Sequence, residues 1–87
     1  MQAVEDDVRA FLTANFYLGE DPAALTGSTS LIEAGFIDST GVLELVGFLE
    51  EKFDLRISEN ELLPENLDSI DNILAFVERK RAAAEAV

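Results

Sequence analysis

Asp38 and Ser39 are the residues of this sequence best placed to do chemistry. A serine hydroxyl can carry a phosphate ester. In the first turn of a helix it lies among backbone N–H groups that have no intrahelical acceptor. The positive end of the helix dipole favours the charge of such an ester. Asp38 is a natural N-cap, its carboxylate suited to accept an N–H of the same turn. The same pair could also be a helix cap and nothing more. A hydrolytic role for Ser39 would need a neighbouring base, and the chain has no histidine and no cysteine.

A serine used this way needs a helix behind it and an ordered segment before it. After Ser39, apolar residues recur at Val42, Leu45, Val46, Leu49 and Phe53. That spacing predicts a helix over about 39–52 with one buried face. Its outward face carries Leu43, Glu44, Gly47, Phe48, Glu50 and Glu51, so that Leu43 and Phe48 form a small apolar spot among carboxylates. A first helix over about 3–18 follows from Val4, Val8, Phe11, Leu12 and Phe16, with Glu5, Asp6 and Asp7 suiting its dipole. Gly19-Glu20-Asp21-Pro22 stops it.

The connection from Gly19 to Ile37 is long for a compact domain, unless it packs or works. Leu31, Ile32, Phe36 and Ile37 are apolar enough to pin it, and Ser30 and Glu33 have capping-box spacing for a single helical turn. Phe53 to Ile57 reads as a linker. Ser58 and Glu61 form a second capping box, opening a short helix or turn that Pro64 closes. The last helix, about 69–81, buries Ile70, Ile73, Leu74 and Val77. Arg79, Lys80 and Arg81 complement its dipole, and 82–87 fray. Asp68-Ser69 repeats the Asp-Ser pair but no long segment precedes it; it reads as the cap of this helix. The expected fold is all-α, a three-to-four-helix bundle with a long first loop and a short third helix. It forms a single domain over 1–87, with its core at about 3–81.

Eighteen acidic against six basic residues give a net charge of −12. Nucleic acid is excluded as a partner because phosphate neutralisation needs a basic face, and anionic membrane surfaces are disfavoured likewise. Basic protein surfaces are the attractive partners. The acids are concentrated, with eleven between Glu33 and Asp71 against Lys52 and Arg56. Self-repulsion there predicts a fold that salt stabilises. No disulfide framework, cysteine-based zinc site or EF-hand loop is possible with these residues, so no resident metal is expected. The acidic N-terminus is no signal peptide and no run approaches transmembrane length. A cytoplasmic monomer without membrane insertion is expected.

Asp38-Ser39 opens a helix that continues as Glu44-Leu45-Val46 and ends in Leu49-Glu50-Glu51-Lys52-Phe53. With the length and acidity, this resembles the acyl carrier protein family, and the similarity runs from the first helix to about Val77. The resemblance implies a 4′-phosphopantetheine arm, taken from coenzyme A, on Ser39. It also implies that Asp38 helps a phosphopantetheinyl transferase to place its metal and the serine. The chain itself would catalyse nothing; the thiol of the arm would hold an acyl cargo as a thioester, as in fatty-acid or lipid biosynthesis. The implied partners are that transferase, an acyl- or aminoacyl-loading ligase and downstream enzymes. Their basic surfaces would meet Leu43, Glu44, Gly47, Glu50 and Glu51.

Three features depart from the commonest pattern of that family. Thr40 and Gly41 stand where it has leucine and an acid, Gly47 replaces a larger apolar residue, and the stretch from Glu61 to Asp68 is longer. Gly35 to Gly41 and Asn66 to Ser69 look more like D-alanyl or other aminoacyl carriers, which is the alternative cargo class. A reading from another class is an acidic helical interaction module without a prosthetic group.

Overall fold

The computed structural model describes residues 2–16 and 25–85, and among these every regular element is helical. Helix α1 spans Gln2–Asn15, α2 spans Ser39–Phe53, α3 is a single turn over Pro64–Leu67, and α4 spans Ile70–Glu85. A 3-10 turn, Glu59–Glu61, precedes α3. The expected end of α1 near Leu18 and its stop at Gly19 to Pro22 lie outside the described residues. Helix α4 runs four residues beyond the expected Arg81, through an alanine-rich stretch of high helix propensity.

The stripes read from the sequence form the core. Val4, Val8 and Leu12 of α1, Leu45, Val46 and Leu49 of α2, and Ile70, Ile73 and Val77 of α4 are all buried. Burial of each such side chain is worth about 1.5–3 kcal/mol relative to exposure. Phe76 joins them at 2% exposure, one residue outside the expected stripe of α4. Helices α1, α2 and α3 all pack on α4, which is the central post of the bundle. Between α1 and α2 the contact is aromatic. Phe11 and Phe48 stack with ring centroids 4.3 Å apart, and Phe16 and Phe53 meet this pair edge-on. Phe48 is therefore half-buried rather than part of an outward apolar spot, because its long ring reaches across to α1.

Helix α2 ends at Asp54, which takes a left-handed backbone (φ 56°) and donates its N–H to the Glu50 carbonyl. The Ser58 capping box is present, with the Glu61 carboxylate accepting the Ser58 N–H at 3.0 Å. Pro64, however, does not close a helix: it opens α3. Proline is favoured there because the first helical N–H has no acceptor in any case and its ring already holds a helical φ.

The described part of the long connection, residues 25–38, is bound to α1 and α4 at several points. Arg9 donates to the Leu25 carbonyl at 3.0 Å, and the Asp71 N–H donates to the Gly27 carbonyl at 2.9 Å. Ser30 to Ala34 form the expected single turn, with Ala34 N–H on the Ser30 carbonyl and Glu33 N–H on Ser30 Oγ. Leu31 and Ile37 are the apolar pins, at 1% and 5% exposure. Gly35 turns the chain with φ 79°, in the left-handed region that glycine enters without strain. The segment thus crosses the bundle and arrives at Asp38 already anchored.

Candidate functional site

Ser39 is the first residue of α2 and is exposed. Asp38 before it has an extended backbone, and its Oδ1 accepts the Gly41 N–H at 2.8 Å while its carbonyl accepts that of Val42. The cap expected from the sequence is therefore formed. Among the described residues the N–H groups of Ser39 and Thr40 meet no protein acceptor, as is usual in the first turn of a helix. Helix α2 has no acid within its first turn, so the carboxylate beside Ser39 is that of the capping Asp38.

Gly41 explains why this helix opens with so small a residue. A Cβ there would lie 2.7 Å from Ile37 Cγ1 and 2.8 Å from Phe16 Cε1. The Phe16 ring and the Ile37 side chain occupy that space, so the start of α2 presses directly on α1 and on the incoming segment.

An apolar groove of about 430 Å³ lies beside Ser39. One side is formed by Val42 and Leu43 of α2 together with Ile32 of the crossing segment. The other is formed by Leu62, Leu63, Pro64 and Leu67. Apart from Ser39 every lining residue is aliphatic or proline. Ile32, Leu43 and Leu63 are the large apolar side chains left exposed among the described residues, at 43%, 60% and 41%, and all three border this groove. Leu43 is expected on a partner face, whereas the groove is not expected from the sequence pattern. Its signal was there in Leu62-Leu63-Pro64, an apolar run that belongs to no helical stripe.

Of the residues expected to meet partners, Leu43, Glu44, Gly47 and Glu51 are exposed along one side of α2. A Cβ at Gly47 would touch nothing within 4 Å. Glu50 is placed differently: it is half-buried, and its Oε2 accepts the Ile57 N–H at 2.9 Å, fastening the linker after α2. The second pair, Asp68-Ser69, is structural. Ser69 is 6% exposed and its Oγ accepts the Asn72 N–H, the N-cap of α4. Asp68 turns to the crossing segment, its Oδ1 accepting the Ile32 N–H at 2.9 Å and its Oδ2 accepting from Ser30 Oγ. Among the described residues no helix is long and apolar enough to cross a membrane, and no three carboxylates converge as a metal site.

The comparisons with known proteins agree with this geometry. The family model for the phosphopantetheine attachment site matches residues 17–77. An acyl carrier protein of Chlamydia muridarum is 34% identical over 79 residues, covering 91% of this chain and 97% of the relative. One of Campylobacter curvus is 39% identical over 77 residues, covering 88% and 95% respectively. A probable acyl carrier protein of a Serratia species, PigG, is 29% identical over 72 residues, 83% of each chain. This chain belongs to the acyl carrier proteins, the family whose prosthetic group is phosphopantetheine.

Proposed function

We propose that Ser39 bears the 4′-phosphopantetheine arm and that the cargo is an apolar acyl chain, which lies in the groove beside the serine. The observation that carries this reading is the joint position of Ser39: exposed at the start of α2 and bordering a groove with aliphatic walls. When bound, the arm supplies a terminal thiol, which a cysteine-free chain lacks, to hold cargo as a thioester.

The residues around Ser39 suit that group. The free N–H groups of the first turn and the helix dipole stabilise the phosphodiester charge. Asp38 spends Oδ1 on the Gly41 N–H and leaves Oδ2 to the metal of the transferase. Apart from Ser39 itself, the groove presents no polar side chain for an amino group among the described residues, so the aminoacyl alternative gains no support from it, whereas aliphatic walls shield methylene groups from water. Family membership does not favour the reading as an interaction module without a prosthetic group. The chain acts as a carrier rather than a catalyst.

Leu43, Glu44, Gly47 and Glu51 form the face offered to the transferase, the loading ligase and later enzymes. Each exposed ion pair with a basic partner is worth only ~0–1 kcal/mol, which suits docking that must be released. Glu50, held by Ile57, is available there with one oxygen only.

The test is intact mass after incubation with coenzyme A and a broad-specificity phosphopantetheinyl transferase, followed by fatty-acyl and aminoacyl ligases. Wild type gains one phosphopantetheine and then an acyl group, and Ser39→Ala gains neither. Modification of Ser39→Ala would overturn the attachment site; loading by an aminoacyl ligase alone would overturn the cargo.

A further inference from the structure

The far wall of the groove is held from behind. Lys80 Nζ donates to both Glu61 carboxylate oxygens, at 2.9 and 3.1 Å. Arg79 Nη2 donates to Asn66 Oδ1 at 2.8 Å, and Asn66 Nδ2 returns to the Glu61 carbonyl at 2.9 Å. Two successive residues of α4 thus grip both ends of the stretch from Glu61 to Asn66. Between those ends lie Leu62, Leu63 and Pro64, which face the groove.

At its C-terminal end the wall is tied to the crossing segment, Asp68 accepting the N–H groups of Leu31 and Ile32 and the Ser30 hydroxyl; its N-terminal part has no such bond of its backbone. The backbone N–H groups of Leu62, Leu63, Asn66 and Leu67 all donate to carbonyls between Glu59 and Leu63, so none ties the wall to another element. Helix α3 packs on α4. Leu67, at 1% exposure, is the one fully buried side chain of the stretch, and Leu63 is 41% exposed. Leu67 and the Asp68 bonds to Ser30, Leu31 and Ile32 hold the C-terminal end of α3, and the clasp holds the turn from Glu61 to Asn66 that carries Leu62, Leu63 and Pro64.

We propose that Lys80 and Arg79 are positioning residues whose clasp on Glu61 and Asn66 fixes the width of the groove and thereby the length of acyl chain it encloses. This rests on the reading that the cargo lies in the groove. Both donors sit on α4, on which α1, α2 and α3 all pack, and both acceptors sit on the stretch that carries the wall. The clasp therefore transmits the position of the post to the wall. Neither Lys80 nor Arg79 borders the groove, so an effect of either on cargo length must pass through the wall.

The experiment loads the full chain with acyl-phosphopantetheine from a series of acyl coenzyme A esters, butyryl to tetradecanoyl, with loading checked by intact mass. The melting temperature of each acylated form is taken relative to the unacylated holo form of the same variant, so that a general loss of stability cancels. In wild type the gain rises with chain length and breaks off where the groove is full. In Lys80→Met and Arg79→Met, which keep the apolar stems and remove the donors, the break moves to longer chains by about two methylene groups. Lys80→Arg, which retains a donor to Glu61, keeps the wild-type break. An unchanged break in both methionine variants overturns the clasp while leaving the groove reading intact. A wild-type series with no dependence on length overturns both. If Lys80→Met does not fold, Arg79→Met alone decides the outcome.

Discussion

Asp68 and Ser30 are joined by a hydrogen bond across 38 residues of sequence, the Ser30 hydroxyl donating to the Asp68 carboxylate. The other carboxylate oxygen accepts the Ile32 N–H at 2.9 Å, and the Asp68 carbonyl accepts the Leu31 N–H at 2.6 Å. Leu31 in turn accepts the N–H groups of Phe36 and Ile37 on its own carbonyl. A continuous line of hydrogen bonds thus runs from Asp68, at the end of α3, to the residue before Asp38. We expect Asp68→Ala to lower stability by about 1.5–3 kcal/mol, as loss of bonds to a charged acceptor does. Native-state hydrogen exchange at 31–37 should accelerate by more than the global destabilisation accounts for. Uniform acceleration over the whole chain would show that Asp68 supports the fold and does not specifically hold this segment.

The two Asp-Ser pairs are separated by burial. Ser69 is 6% exposed and its hydroxyl accepts the Asn72 N–H, whereas Ser39 is open. Ser69→Ala is expected to lose about 1 kcal/mol, the usual worth of an N-cap, and to accept the arm in full. Denaturation in urea and intact mass check the two halves separately. An arm missing from a folded Ser69→Ala protein would mean that the wrong serine has been assigned.

Much of this is legible in the sequence alone. The helical stripes found the buried residues of α1, α2 and α4, and Asp38 caps α2 as its type and place suggested. What escaped had physical causes. Asp68 looked like a local cap because its true partners lie 36 and 38 residues away, and no periodicity reports a contact of that range. Phe48 falls on the outward side of a 3.6-residue repeat, yet its ring spans to Phe11. Pro64 can stand at either boundary of a helix, and the sequence alone does not choose between opening and closing. The groove escaped because its walls come from three separate stretches, of which only α2 carries a regular pattern.

Gly41 and Gly47, two turns of one helix, should answer substitution with opposite signs. Gly41→Ala gains helix propensity of about 1 kcal/mol but drives a methyl group against Ile37 and Phe16, an overpacking that typically costs about 1–3 kcal/mol. The net result expected is a loss of stability together with slower arm transfer, because the start of α2 shifts. Gly47→Ala meets nothing within 4 Å and should stabilise the protein by about 0.5–1 kcal/mol. Thermal unfolding of both variants and the transferase rate on each check the pair. A Gly41→Ala protein as stable and as quickly modified as wild type would show that the contact with Phe16 is not what positions the serine.

Acid should loosen the α3 wall through Glu61. The Lys80 ammonium on both its oxygens, helped by the Ser58 N–H, holds the Glu61 carboxyl below its ordinary value. A depressed folded-state pKa means that the unfolded chain binds the proton first, at about 4.3 for an unperturbed glutamate. The stabilisation is therefore complete above that pH and is lost as the pH falls through the lower folded value. Many other carboxylates titrate in the same range, so the informative quantity is the difference in unfolding free energy between wild type and Glu61→Gln. That difference should be constant from neutral pH down to about 5 and should shrink steadily below about 4. Added salt should reduce it at neutral pH, since both partners of the pair are partly exposed. A difference that does not change between neutral pH and the acid limb would mean that Glu61 holds the wall by packing and not by its charge.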